Sequence, residues 1–463
     1  MIAPDFTQRM PSEPGAVHFI GIGGSGMSGI ARMFVERGVT VTGSDRSDSD
    51  AVRALTALGV AVQIGHEPAA VTHADTVVVT GALWTDNPEY QWALTNGVPV
   101  YHRSLALEWL SRDNRVVAVA GAHGKTTSTS MVVTGLRELG ADPSFVNGGV
   151  VTALGVSAAL GSDDTFVLEA DESDGSFVIY RSAIGVITNI DSDHLDAYGS
   201  TEAFDDAFVA FANACTETVI VSADDDHLSR LRERISVPVV TFGVNSDSDF
   251  RLSAVVSSAA GVSATVTHRN DSAELSMTVP GRHNAVNAVG AIAVLVHLGY
   301  SLDDAVRAVS AFGGTGRRFE LHGERRGVAV YDDYAHHPAE VRATLAMARS
   351  VVGDGRIIAI HQPHLYSRTR DMAVDFAREY EEGADLTIVL DVFGAREDPI
   401  EGVTGELVAS QFQDSSRVLY RPEWLEAAAA AADFARAGDI IITLSCGDVY
   451  RIIPSVLEAL YRS

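Results

Sequence analysis

Short apolar runs, mostly of β-branched residues, alternate with longer stretches of helical periodicity along most of the chain. This is the pattern of parallel strands covered by helices. AVHFIGI, TVVVT, RVVAVA, TFVLEA, AIGVITNI and TVIVSA read as strands in the first half, and RIIAI, LTIVL, RVLY and DIIITL near the C-terminus. Residues 249–280 break the rhythm: they alternate polar and apolar positions between turn residues, without a helix, which predicts an antiparallel hairpin insert. The stretch 422–437, PEWLEAAAAAADFARA, opens on proline and acid and stops before Gly438, so a helix is expected over it.

Two glycine loops, near 21 and 121, each follow a predicted strand and open a predicted helix, and so mark the starts of two α/β units. A third begins near VAVYDDYAHHP. The polar seams SRDNR and GERRG divide the chain into 1–113, 114–325 and 326–463, and a length of 463 residues suits about three domains.

The apolar runs are strand-sized, well short of the roughly 20 residues a membrane helix needs, so no span is expected. The N-terminus lacks the charge and apolar core of a signal peptide, and with only Cys215 and Cys446 no disulfide framework is available, so a reducing cytoplasm is expected. The net charge of −27 argues against a nucleic-acid partner. An anionic substrate then needs a local positive pocket.

HFIGIGGSGMSGIA fits G-x-G-x-x-G, with Gly21, Gly23, Gly24, Ser25 and Gly26 in a loop suited to a diphosphate, and Asp45 ends the next strand. That chemistry serves NAD, FAD or a UDP-sugar equally, and the loop can equally be a packing turn; Asp45 is a ribose or base acceptor or a solvated acid. VAGAHGKTTS is more specific. Lys125 is the only lysine among 34 basic residues. Backbone amides of Gly121, Ala122, His123 and Gly124 can cradle phosphates, Lys125 can reach the β and γ oxygens, and Thr126 or Thr127 can hold Mg²⁺. A planar guanidinium would not thread such a loop. Strand-end acids follow in FVLEADESD (Glu169, Asp171, Glu172, Asp174) and VITNIDSDH (Asn189, Asp193, His194), as Mg²⁺ ligands or solvated loop residues.

These motifs, together with GRHNAVNA, GTGRRFE, YDDYAHHPAEV, QPHLYSRTRD and GVTG in the same order, resemble the Mur ligases over nearly the whole chain. The resemblance implies a Rossmann-like N-terminal domain binding UDP-N-acetylmuramate through Gly21–Gly26, a central P-loop domain binding ATP, and a C-terminal Rossmann-like domain bringing the amino acid. It implies that Lys125 holds phosphate, that Thr126 and Glu169 serve one Mg²⁺, and that His194 helps with a second. Asn284 and Asn287 match the adenine-side motif, Arg318 and Asp333 reach the ATP, and His336, Arg368 and Arg370 handle the amino acid and reacting carboxylate. The implied reaction is ATP-dependent ligation of L-alanine to a lactyl carboxylate through an acyl phosphate, with domain closure. A carbamylated lysine, used by some relatives, has no residue here to supply it. The chain departs from the family pattern at Ala122, Leu365 and Cys446. A nicotinamide-dependent dehydrogenase, the rival from another class, leaves GKTTS unexplained.

Overall fold

A computed structural model of the protein describes residues 5–191, 198–258, 260–395 and 397–462, and shows three sheets. The first runs in the order β3-β2-β1-β4-β5, with β1 Val17–Ile20, β2 Val41–Asp45, β3 Ala61–Ile64, β4 Thr76–Val79 and β5 Val100–His102, all pairs parallel. Chain order reverses between β1 and β4. Ligands of open α/β sheets bind outside the carboxyl ends of the strands at such a point.

The central sheet has the order β15-β14-β13-β12-β11-β10-β6-β9-β7-β8. Its strands are β6 Arg115–Ala120, β7 Ser144–Val151, β8 Val156–Ala159, β9 Thr165–Glu169, β10 Ile184–Ile187, β11 Thr218–Ser222, β12 Val239–Gly243, β13 Phe250–Ser258, β14 Gly261–His268 and β15 Asp271–Met277. β6 is apolar and buried from Val116 onward and pairs in parallel with β9 and β10. The segment read as a hairpin insert is β13–β15. Its strands are joined by two-residue connections, which only antiparallel neighbours allow. They form no separate layer: β13 pairs with β12 through Phe242 and Phe250 and carries the sheet onward.

The third sheet runs β16-β17-β21-β18-β19-β20, with β16 Glu320–Arg325, β17 Val328–Asp333, β18 Ile357–His361, β19 Leu386–Val389, β20 Val418–Tyr420 and β21 Ile440–Leu444. All pairs are parallel except the edge pair β16 and β17. The helix expected over 422–437 runs only Trp424–Phe434, because Pro422 and Glu423 stay outside its first turn. At the other end Gly438 belongs to the next turn, where its N–H donates to Gly327 O at 2.7 Å. Among the described residues no helix is long and apolar enough to cross a membrane.

Residues up to Val255, with Ser263–Met277 and His283–Gly313, form one compact unit, which therefore holds the first sheet and most of the central one. Val256–Val262, Thr278–Arg282 and the chain from Gly314 onward form the other. In the second unit His361 is buried at the end of β18, its Nδ1 2.8 Å from the Tyr380 hydroxyl. Burial pushes this imidazole down to about 3, so the native state holds it neutral. A depressed histidine adds stability above its unfolded value of about 6.5 and loses it as pH falls toward the folded value. Chemical denaturation at pH 7 and pH 5 should therefore show the stability gap between wild type and His361→Gln narrowing by about 2 kcal/mol at the lower pH. A constant gap would contradict a neutral native His361.

Candidate active site

The first glycine loop leaves β1 at its carboxyl end. Gly21 and Ile22 N–H groups both donate to Ser44 O, at 2.8 and 3.0 Å, tying the loop to the end of β2. Gly23 N–H donates to Asp45 Oδ2 at 2.8 Å, and Asp45 Oδ1 accepts from Ser47 N–H at 3.1 Å. Asp45 thus braces the loop from which the Ser25–Glu36 helix starts. Gly24 caps that helix with no side-chain bond, so no capping side chain takes up its first amides.

Three carboxyl ends of the first sheet converge here. The segment after β4 supplies Gly81, whose N–H donates to His102 Nε2 at 3.1 Å. His102 ends β5, caps the Arg103–Ser111 helix, and has its Nδ1 2.8 Å from Ser104 Oγ. Desolvation pushes its imidazole down to about 4, consistent with a neutral ring accepting at Nε2. Arg103 follows, and its guanidinium reaches Asp171 Oδ2 at 2.7 Å. Asp171 comes from the segment beyond β9.

The second glycine loop leaves β6. Gly121 has φ +132 and Gly124 has φ +83, backbone conformations that side chains of L residues rarely adopt. A Cβ at Gly121 would lie 2.1 Å from Thr188 Oγ1, and one at Gly124 would lie 2.9 Å from Asn287 Oδ1. The loop is clamped from β10: Thr188 Oγ1 donates to His123 O at 2.6 Å, His123 N–H donates to Asn189 Oδ1 at 2.9 Å, and Ala122 N–H donates to Asn189 O at 3.2 Å. His123 Nε2 stands 3.3 Å from Asp191.

Lys125 opens the Lys125–Glu138 helix and turns back into the loop. Its Nζ donates to Gly121 O at 2.6 Å, Ala122 O at 3.3 Å and Glu172 Oε1 at 2.8 Å. Desolvation works against the ammonium, but Glu172, Glu169 and Asp171 outweigh it and hold its pKa above the ordinary lysine value. Glu172 is buried too; desolvation pushes its carboxyl up to about 7, although Lys125 opposes this. The acids of EADESD thus divide their work: Asp171 takes Arg103, Glu172 takes Lys125, and Asp174 Oδ1 accepts the Ser176 N–H at 2.9 Å.

Glu169 lies elsewhere, accepting Thr126 Oγ1–H at 3.1 Å and Gly148 N–H at 2.7 Å. Thr126 and Thr127 are both buried in the first helical turn. Glu172 Oε2 is buried with no hydrogen-bond partner among the described residues. The Thr126 hydroxyl beside the Glu169 carboxylate is an all-oxygen pair of the kind that suits a hard divalent cation. His194 lies outside the described residues, as does Asp193, and Ser25 is described only through its backbone. Asn284 is buried on the first turn of the Arg282–His297 helix, and Asn287 rests against Gly124.

In the second unit, Asp333 ends β17 with both carboxylate oxygens engaged. Oδ2 accepts Phe319 N–H at 2.8 Å; Oδ1 accepts Ala335 N–H at 2.9 Å and the Thr344 hydroxyl at 3.0 Å. Burial pushes it up to about 6, with Arg318 opposing. It therefore holds the turn that carries Arg318, whose guanidinium lies 5.1 Å from the Tyr334 ring. The neighbouring Arg317 is consumed structurally, bonding Asp332, Ser445 O and Gly447 O at 2.9, 2.7 and 3.0 Å. His336 Nδ1 sits 3.1 Å from Tyr334 O and 3.2 Å from Glu340, so Nδ1 carries the proton and Nε2 the lone pair. Burial pushes this imidazole down to about 4; Glu340 opposes that, and Arg368 adds to it. Arg370 pairs with the adjacent Asp371 at 2.7 Å and is largely exposed. Leu365 is buried at φ +71, its carbonyl accepting Thr369 Oγ1–H at 2.7 Å. Burial pushes the Cys446 thiol up to about 12.

Sequence reading passed over Arg103, Thr188 and Gly148. Arg103 had one available signal, a cation directly after a strand end.

Three family descriptions match successive parts of the chain: Mur ligase family, catalytic domain, at 16–115; Mur ligase middle domain at 119–295; and Mur ligase, glutamate ligase domain, at 317–447. A UDP-N-acetylmuramate–L-alanine ligase of Clavibacter michiganensis subsp. michiganensis is 63% identical over 462 residues, covering 100% of this chain and 97% of the relative. One of Paenarthrobacter aurescens is 46% identical over 96% of this chain and 97% of its own length. Among solved structures, UDP-N-acetylmuramate-alanine ligase of Thermotoga maritima superposes with a TM-score of 0.81 at 28% identity, covering 96% of this chain and 98% of that one. A murein peptide ligase of Psychrobacter arcticus gives 0.73 at 27%, with the same coverage. With all three parts matched in order and curated relatives alike along their whole length, the chain belongs to the Mur ligase family.

Proposed function

We infer that this protein is an ATP-dependent ligase that joins L-alanine to the lactyl carboxylate of UDP-N-acetylmuramate, releasing ADP and phosphate, in the cytoplasmic synthesis of peptidoglycan precursors. The observation that carries this is the 63% identity along the full chain to a ligase of that name. Residues 1–113 bind the UDP-sugar, 114–325 bind ATP and 326–463 bring the amino acid.

A free carboxylate does not yield hydroxide to an amine at neutral pH, so it must be activated first. A carboxylate oxygen attacks the γ-phosphorus of ATP and ADP leaves. The alanine amine then attacks the acyl carbon, phosphate leaves with the electron pair of the broken C–O bond, and the amine proton goes to a base. Lys125 and the loop amides hold the phosphates in line. His336 Nε2 is the base we assign; its neutral state at pH 7 leaves the lone pair open. Arg368 and Arg370 bind the amino acid's carboxylate, and Asn284, Asn287 and Arg318 the nucleotide.

Thr126 and Glu169 are the residues we assign to Mg²⁺, which when bound neutralises charge on phosphate oxygens. Glu169→Gln should then raise the Mg²⁺ concentration for half-maximal phosphate release by about 10–100-fold. An unchanged Mg²⁺ titration would remove Glu169 from the metal.

Phosphate release with UDP-N-acetylmuramate across a panel of amino acids tests the whole reading. L-alanine should give the highest kcat/KM; preference for a peptide, or for a nucleotide already carrying one, would overturn the assignment.

A further inference from the structure

Arg103 stands between the helix start after the first glycine loop and the acidic segment that holds Lys125 of the second. It follows β5 at the carboxyl edge of the first sheet. A Cβ on Gly26 would lie 3.4 Å from its Nη1, so the guanidinium packs on the helix start that follows the first loop. On its other side it bonds Asp171 Oδ2 at 2.7 Å, with Asp174 at 3.9 Å. Asp171 adjoins Glu172, the partner of Lys125 in the second loop. The guanidinium therefore lies on the way from the diphosphate crevice to the lysine of the phosphate loop.

The ligation reading, on which this inference rests, puts the reacting carboxylate on the same path. The sugar nucleotide's diphosphate belongs to the loop amides, and its carboxylate must lie in line with a phosphoryl group held by Lys125. In this structure the position beside Arg103 is taken by a carboxylate of the chain itself. Asp171 Oδ1 is separately anchored by Ser173 N–H at 3.1 Å, so the acid can keep its place when its other oxygen is released. Arginine suits the task, since its planar fork matches a carboxylate and can engage two at once.

We propose that Arg103 is the residue that receives the lactyl carboxylate of the UDP-linked substrate, exchanging its bond to Asp171 for one to the ligand and so orienting the nucleophile toward the phosphate loop. Recognition is of the carboxylate and not of the nucleotide. UDP-N-acetylglucosamine, which has the same nucleotide and sugar without the lactyl group, separates the two.

Calorimetric titration of the full chain with both nucleotides tests this without turnover. Arg103→Gln should weaken UDP-N-acetylmuramate by about tenfold or more, the worth of a charge-assisted hydrogen bond, and leave UDP-N-acetylglucosamine within about twofold of wild type. Arg103→Gln leaves Asp171 without its cation and can fail to fold. The Arg103→Gln/Asp171→Asn double variant removes both charges and should show the same loss of discrimination. Equal weakening of both nucleotides, or unchanged discrimination in the double variant, would overturn the assignment of Arg103 while leaving the ligase reading standing. A wild-type protein that binds neither nucleotide would remove both.

Discussion

Lys125→Arg should lower the rate of ATP- and alanine-dependent phosphate release by on the order of a thousandfold while formal charge stays the same. The cause is the size of the space. Three acceptors, Gly121 O, Ala122 O and Glu172 Oε1, converge on one nitrogen at 2.6–3.3 Å. Two of them belong to a loop whose glycines leave no room for a Cβ beside Thr188 and Asn287. An ammonium offers three donors from one atom and can pivot from these acceptors to phosphate oxygens as a compact charge. A guanidinium spreads the same charge over three nitrogens in a plane and needs a broader cleft. The chain uses arginine at its 33 other Lys/Arg positions, so the exception tracks the geometry of this loop. Stopped-flow or coupled assays read the effect, with thermal unfolding as the control for folding. A rate within about threefold of wild type would sink the argument.

Gly121→Ala is the second large effect, and it separates two costs. The new methyl would lie 2.1 Å from Thr188 Oγ1 and 3.0 Å from Asn189 O, and the backbone at φ +132 is strained for any residue with a Cβ. Overpacking costs about 1–3 kcal/mol and a strained backbone about 1–3 kcal/mol more. In a unit of this size each kcal/mol lowers Tm by roughly 2 °C. The clash falls on the hydroxyl that clamps His123 O, so the loop should also lose ATP affinity. Adding Thr188→Ala removes the 2.1 Å contact together with the hydroxyl's bond to His123 O, and leaves the approach to Asn189 O and the φ of Gly121 in place. The double variant should therefore regain only part of the lost stability, and full recovery would show that the φ of Gly121 costs nothing.

Much of this architecture is local and readable. A short continuous apolar run followed by glycines and a helical period is a strand, a tight turn and a helix start, and both loops obey it. The same locality explains the misreadings. The helix over 422–437 carried correct end signals, but Gly438 is claimed by Gly327, a partner 111 residues away. Residues 249–280 announced strands and turns, yet alternation cannot say that a hairpin will extend an existing sheet. In GTGRRFE nothing in the letters separates the two arginines; Arg317 is spent on the carbonyls of Ser445 and Gly447, while Arg318 is carried by a turn that Asp333 holds.

The acids of EADESD show most plainly what each level decides. Sequence alone determined that carboxylates cluster at a strand end beside a phosphate loop with a single lysine, because covalent neighbours and backbone periodicity fix that much. Only the tertiary structure decided that Asp171 faces Arg103, from the first sheet to the central one, and that Glu172 faces Lys125 and Glu169 faces Thr126, through the pairing of β6 with β9. Charge pairing and hydrogen bonding act over a few ångströms of space, between residues that lie 68, 47 and 43 positions apart in the chain, and no local pattern encodes that separation.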